Sequence, residues 1–261
     1  MAPEQKATPS FTDLKLTERG AWARLTLASG KANPIGGALM DDIHRALDYI
    51  ERRSSISVLS FSGRAGVFCA GANLNEVNRL FSQSNPAAAM RAFAGRVQET
   101  TERVAKLNII TVAEIDGAAM GGGLELALAC DFRLASDQAR LGLPETGLGL
   151  IPAAGGTFRL RQITGMTTAR KLILTGAILK PDEALGLGLV DLVVGADQAE
   201  TEMTRFIEKL AARPASALLA AKACFRFEGD AAASAEIEQI ARLADEDETK
   251  RLVKEFISRN H

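Results

Sequence analysis

Two glutamates sit where glycine or proline fixes the backbone around them. Glu125 lies inside "AAMGGGLELALACD", residues 118–131, where three consecutive glycines precede an otherwise apolar run. Glu145 lies in "LPETGLG", behind Pro144 and ahead of two glycines. A carboxyl group can give or take a proton near neutral pH when its surroundings shift its affinity, so a converging pair can hold a water molecule between them and divide its proton and hydroxyl. The glycines add a second element of chemistry. A helix beginning near Gly122 leaves its first backbone N–H groups without an intrahelical partner, and glycine lets a ligand approach them closely. One such N–H at Gly122, faced by another at Ala72 in "FCAGAN", could hold a developing oxyanion. Each feature also has a plainer explanation: Glu125 as an acid favoured in a helix's first turn, and both glycine segments as tight turns.

Other chemistries have little to work with. Only two histidines are present, His44 and His261, and His44 falls on the charged side of a helix whose apolar face is Leu39, Met40, Ile43, Leu47 and Ile50. Both read as surface residues, which leaves no triad or histidine-rich metal site. Cys69, Cys130 and Cys224 are far apart, with no C-x-x-C pair, and read as free thiols of a reducing compartment; no metal is expected. Neither "GAAMGGGLE" nor "GRAGVFCAGAN" has the spacing of a dinucleotide loop, and no phosphate-binding G-x-x-x-x-G-K-[ST] occurs.

The elements that must carry these residues follow from hydropathy. "DLKLTE" and "AWARLTLAS" alternate and join at Arg19-Gly20 as a hairpin. "GGALMDDIHRALDYIERR" repeats at three and four residues as a helix, and "ISVLSFSG" and "NIITVAEIDG" are buried strands. "RAGVFCAGANLNEV" reads as a loop, and residues 87 to 106 as helix. "LELALACD" is a short helix, "FRLAS" and "LVDLVV" are strands, and short helices punctuated by Gly and Pro lie between them. From residue 196 every segment is helical in pattern, so that a core over 13–195 and a helical subdomain over 196–261 are expected behind a flexible arm, 1–12. The helical tail either docks on a neighbouring subunit or closes its own core. The order of strand, loop and helix is that of an α/β protein with active-site loops at strand ends.

The balance of 31 basic and 32 acidic residues gives a net charge of -1 and no basic stripe, which argues against a nucleic-acid partner. No run approaches a membrane span, and the first residues lack the apolar stretch of a secretory signal; a cytoplasmic location is expected.

Taken together, "VFCAGANLNEV", "IDGAAMGGGLELALACDFRLAS", "LGLPETGLGLIPAAGGTFRLRQITG" and "LTGAILKPDEALGLGLVDLVV" resemble the crotonase (enoyl-CoA hydratase/isomerase) superfamily, over roughly residues 13 to 260. The resemblance implies a spiral of ββα units with a helical C-terminal region that mediates trimers, commonly paired into hexamers. It implies an acyl-CoA thioester substrate and no separate cofactor, coenzyme A being part of the substrate. The thioester oxygen would be held by the N–H groups of Ala72 and Gly122, with Glu125 and Glu145 matching the two glutamates that add water across the 2,3 double bond of an enoyl-CoA in fatty acid metabolism. Ala70, Gly71, Asn73, Leu74 and Asn75 match the segment that borders the bound substrate, and Lys31, in "SGKANP", is a candidate partner for a coenzyme A phosphate, or simply a solvated loop lysine. The chain departs from relatives at Asn73 and Asn75, which stand where an acid and a lysine are common. A Δ3-Δ2 enoyl-CoA isomerase, needing only one carboxylate, and a non-catalytic acyl-CoA-binding or assembly subunit remain the competing readings.

Overall fold

The computed structural model describes residues 9–64 and 66–259. Residues 1–8 of the expected arm, and His261, lie outside the described residues. The chain opens with the hairpin read from alternation: β1 (Leu14–Arg19) pairs antiparallel with β2 (Trp22–Leu27), turning at Gly20. Next comes α1 (Gly37–Glu51), which buries Leu39, Met40, Ile43, Ala46, Leu47 and Ile50, one stripe at helical spacing.

A repeating unit of two strands and helix follows. The first is β3 (Val58–Ser62), β4 (Val67–Cys69), α2 (Leu74–Phe81) and α3 (Pro86–Lys106). The second is β5 (Ile110–Ile115), β6 (Ala118–Met120) and α4 (Gly122–Leu128). The third is β7 (Phe132–Ser136), β8 (Arg140–Gly142), a 3-10 turn over Glu145–Leu148, and then α5 (Gly156–Thr164) and α6 (Met166–Thr175). The chain continues through β9 (Ile178–Leu179), α7 (Pro181–Gly186) and β10 (Leu192–Val194) to four further helices, α8 (Ala199–Ala211), α9 (Ala215–Cys224), α10 (Gly229–Ala244) and α11 (Asp247–Arg259).

In each unit the first strand joins a six-stranded sheet, ordered β1-β2-β3-β5-β7-β10, and the second joins a four-stranded sheet, ordered β4-β6-β8-β9. The chain therefore winds between two sheets as a spiral of ββα units, an α/β architecture. From β2 onward the large sheet is parallel. A parallel strand covered on both faces has no polar side to show, and every residue of β5 is buried. The loop read over "RAGVFCAGANLNEV" in fact contains β4 and the start of α2; a strand of three residues is too short for alternation to register.

One face of the large sheet meets the main core, built around Phe61, Phe68, Leu25 and Met40. On the other, Trp22, Val58, Val112 and Leu134 pack against Met203 and Ile207 of α8. Arg24 pins this helix: it donates to both oxygens of buried Glu114, at 2.8 and 2.6 Å, and to Glu200 at 2.5 Å. Lys222 likewise ties α9 to the sheet, its Nζ donating to Ile109 O and Asp131 Oδ2, both at 2.7 Å. The last helix, α11, buries no residue. Ile237 and Ile240 of α10 and Phe256 of α11 are largely exposed. His44 departs from the surface reading: half-buried, its Nε2 lies 3.0 Å from Thr100 Oγ1 and its Nδ1 3.2 Å from Arg103, so that it bridges α1 and α3. No described helix is long and apolar enough to cross a membrane.

Candidate active site

The small sheet brings the two glycine segments together. Because β4 and β6 are parallel neighbours, with Cys69 opposite Ala119, their exits run side by side. Gly71 has φ +98 and Gly121 φ +51, left-handed conformations that favour glycine. Close approach excludes a side chain as well: a Cβ on Gly71 would lie 2.9 Å from Met120 O and 3.4 Å from Gly122 N. Ile35 N donates to Gly71 O, and Asn73 N to Ile35 O, both at 2.8 Å; these bonds fix the peptides on either side of Ala72. Among the described residues no group accepts from the N–H of Ala72 or of Gly122. The two residues lie close together: a Cβ on Gly122 would sit 3.7 Å from Ala72 N.

Both border a cavity of about 220 Å³. Ala70, Gly71, Ala72, Leu74, Gly122 and both glutamates line it. Glu125, one turn into α4, is buried, and its Oε1 accepts from Ala154 N at 2.7 Å and Gly156 N at 2.8 Å. Burial raises its pKa, while these two bonds and the charge of Arg159 oppose the rise. Glu145 opens the 3-10 turn, with its Oε1 close over Gly121, where a Cβ would come within 2.9 Å. Its Oε2 is buried with no hydrogen-bond partner among the described residues. Burial, reinforced by the neighbouring Glu125 charge, pushes the Glu145 carboxyl up to about 7, against the pull of its own backbone N–H.

Three of the residues singled out in the sequence do not line the cavity. Asn73 Oδ1 accepts from Asn75 N at 3.1 Å and Glu76 N at 3.2 Å, capping α2 and so setting the direction in which the loop leaves Ala72. Asn75 and Lys31 are exposed, Lys31 in the turn after β2.

The sequence reading missed the segment that holds Glu125. Ala154 O accepts from Arg159 Nη1 at 2.9 Å and Thr101 Oγ1 at 2.8 Å, and Arg159 Nη2 donates to Glu102 at 2.6 Å. Gly155, at φ +102, has a backbone conformation that favours glycine, and a Cβ there would push the Arg159 guanidinium out of its place. The arginine thus clamps the loop whose two N–H groups grip Glu125. The signal was present as "AAGGTFR", a glycine pair followed by an arginine one helical turn later.

Comparison with known proteins agrees with this architecture. A family model described as enoyl-CoA hydratase/isomerase matches residues 18–259. The fatty acid oxidation complex subunit alpha of Aliivibrio fischeri is 38% identical over 193 residues, 72% of this chain and 28% of that protein. Methylglutaconyl-CoA hydratase, mitochondrial, of Mus musculus is 37% identical over 172 residues, 66% of this chain and 53% of that one. The chain thus spans between about a quarter and about half the length of these two curated relatives. Among solved structures, Pseudomonas aeruginosa DspI superposes with a TM-score of 0.90 at 29% identity, covering 98% of each chain. An enoyl-CoA hydratase from Bacillus anthracis gives 0.89 at 29% identity, covering 95% of this chain and 97% of that one. With a family model spanning nearly its whole length and this spiral of ββα units, the chain belongs to the enoyl-CoA hydratase/isomerase family, the crotonase superfamily.

Proposed function

We propose that the protein is an enoyl-CoA hydratase, adding water across the 2,3 double bond of an acyl-CoA thioester to give the 3-hydroxyacyl-CoA. The observation that carries this reading is the meeting of two carboxyl groups and two free backbone N–H groups in one cavity. In this reading the N–H groups of Ala72 and Gly122 donate to the thioester oxygen as negative charge gathers on it, making C3 electrophilic. The two carboxyls are unequal. Glu125 is gripped by two N–H donors, which favour its charged form; Glu145, held near pH 7 with one oxygen unsatisfied, is suited to carry a proton. Glu125 takes a proton from water as its oxygen bonds to C3, Glu145 gives a proton to C2, and exchange between the carboxyls through the next water restores both. Coenzyme A arrives as part of the substrate, and no other cofactor is required.

The exposed apolar residues of α10 and α11 fit burial against other copies of the chain, as a trimer or a pair of trimers. Nucleic acid and membrane are not expected partners, and a cytoplasmic location fits the sequence. The decisive experiment follows the loss of enoyl absorbance with crotonyl-CoA in wild type, Glu125→Gln and Glu145→Gln. Each variant should lose at least about 100-fold in kcat, within the usual range for a positioned acid or base. Full hydratase activity in both would refute the two-carboxylate mechanism, and retained double-bond migration in Glu145→Gln without hydration would favour the isomerase.

A further inference from the structure

Beyond the glutamates the cavity changes character. Met90, Phe93, Ala94 and Val97 of α3 line it at positions i, i+3, i+4 and i+7, a single helix face. At 1.5 Å per residue this face runs for roughly 10 Å. Val77 of α2 adjoins it, and Ile151 stands at the rim. Arg79 of α2 and Arg91 of α3 do not line the cavity, and three further arginines are committed elsewhere. Arg96 reaches Asp41 at 2.6 Å and Arg103 reaches Glu51 at 2.6 Å, both on α1; Arg159 is spent on Ala154 O and Glu102. The charged side chains that line the cavity are Glu125 and Glu145 themselves.

Resting on the enoyl-CoA reading, we infer that the substrate's acyl substituent is an uncharged hydrocarbon, selected by the apolar face of α3, and that the site rejects enoyl thioesters bearing a second carboxylate. A carboxylate placed among Met90, Phe93 and Val97 would give up its water without gaining a hydrogen-bond donor from that wall, and would share the cavity with the like charge of Glu125. A hydrocarbon tail there exchanges water for side-chain contact along its length. The distinction matters because one relative is named for methylglutaconyl-CoA, whose acyl group derives from a dicarboxylic acid and keeps one free carboxylate.

The test is a matched pair: trans-2-hexenoyl-CoA, and the same thioester with its terminal methyl replaced by a carboxylate. An apolar pocket discriminates against an added hydroxyl by about 100-fold, and a charge should cost at least as much. Wild type should therefore favour the hydrocarbon thioester by about 100-fold or more in kcat/KM. Leu74→Arg places a cation at the cavity edge from a side chain that is 56% exposed, so folding is not at stake. It should improve the carboxylated substrate and narrow the ratio by about tenfold, whereas Leu74→Gln should leave the ratio near that of wild type. Equal turnover of the two thioesters by wild type would overturn the inference while leaving the hydratase reading intact. Failure to hydrate either would overturn the hydratase reading, and this inference with it.

Discussion

Replacing Gly156 by alanine isolates the grip on Glu125 from everything else in the site. Gly156 has no left-handed torsion, so alanine meets no backbone strain there, and as the first residue of α5 it would even favour the helix. The added Cβ, however, would lie 2.9 Å from Glu125 Oε1 and 2.9 Å from Pro152 Cβ, against ordinary contacts of 3.4–4 Å. The carboxylate must retreat by about half an ångström, which takes its bonds of 2.7 and 2.8 Å to the edge of useful hydrogen bonding. A hydrogen bond to a charged group contributes about 1.5–3 kcal/mol, so losing one predicts a fall in kcat of about 10- to 150-fold. KM should change little, because the Ala72 and Gly122 amides are untouched. The assay is steady-state hydration of crotonyl-CoA beside Gly95→Ala, a control in α3 where a Cβ meets nothing within 4 Å and where alanine should raise stability by about 1 kcal/mol. Turnover by Gly156→Ala within threefold of wild type would refute the idea that these N–H groups hold Glu125 in working position.

Removing the clamp should act through the same loop: Arg159→Gln should lower kcat by at least about tenfold and move the pH profile further toward alkaline values as Glu125 loses a favourable charge, while Arg159→Lys should recover part of both effects, checked by kcat against pH. Glu145 makes stability depend on pH. Its folded pKa of about 7 stands above the ordinary carboxyl value of 4.5, so its contribution is complete below the unfolded value and is lost as pH rises through 7. Glu145→Gln should therefore be the more stable protein above pH 7 and flatten the slope of melting temperature between pH 4.5 and 7, read by thermal unfolding. Lys222→Met should lower stability by about 2 kcal/mol, because Asp131 and the Ile109 carbonyl lose a buried donor; denaturant unfolding measures this.

Much of the site was legible because its chemistry is written in glycine and proline. Gly71, Gly121 and Gly122 mark where backbone must approach backbone, and Pro144 marks the turn that presents Glu145. The large sheet was legible for another reason: β3 and β5 are long enough to read as buried runs. The small sheet was not, since β4, β6 and β8 hold three residues each and owe their existence to one another rather than to local preference. The grip of Ala154 and Gly156 on Glu125 also escaped, because a backbone N–H has no letter in a sequence. Asn73 stands in the motif that borders the substrate, yet the structure shows its Oδ1 capping α2, a use its place in the motif does not reveal. The wall of α3 was in plain sight as a helical stripe, but a stripe facing a cavity and a stripe facing a core are spelled alike.

The side-by-side exit of β4 and β6 has a consequence for how this protein can change over time. In the proposed reaction its polarising groups belong to the main chain, and their spacing follows from strand register; the substitutions that would disturb them are proline and those at the glycines, such as Gly71, that let the two exits lie together. The apolar wall of the cavity belongs to separate helices, α2 and α3, whose residues can be exchanged one at a time. On the proposed reading, selection can thus retune which acyl group the site accepts while the chemistry at the thioester stays anchored in topology.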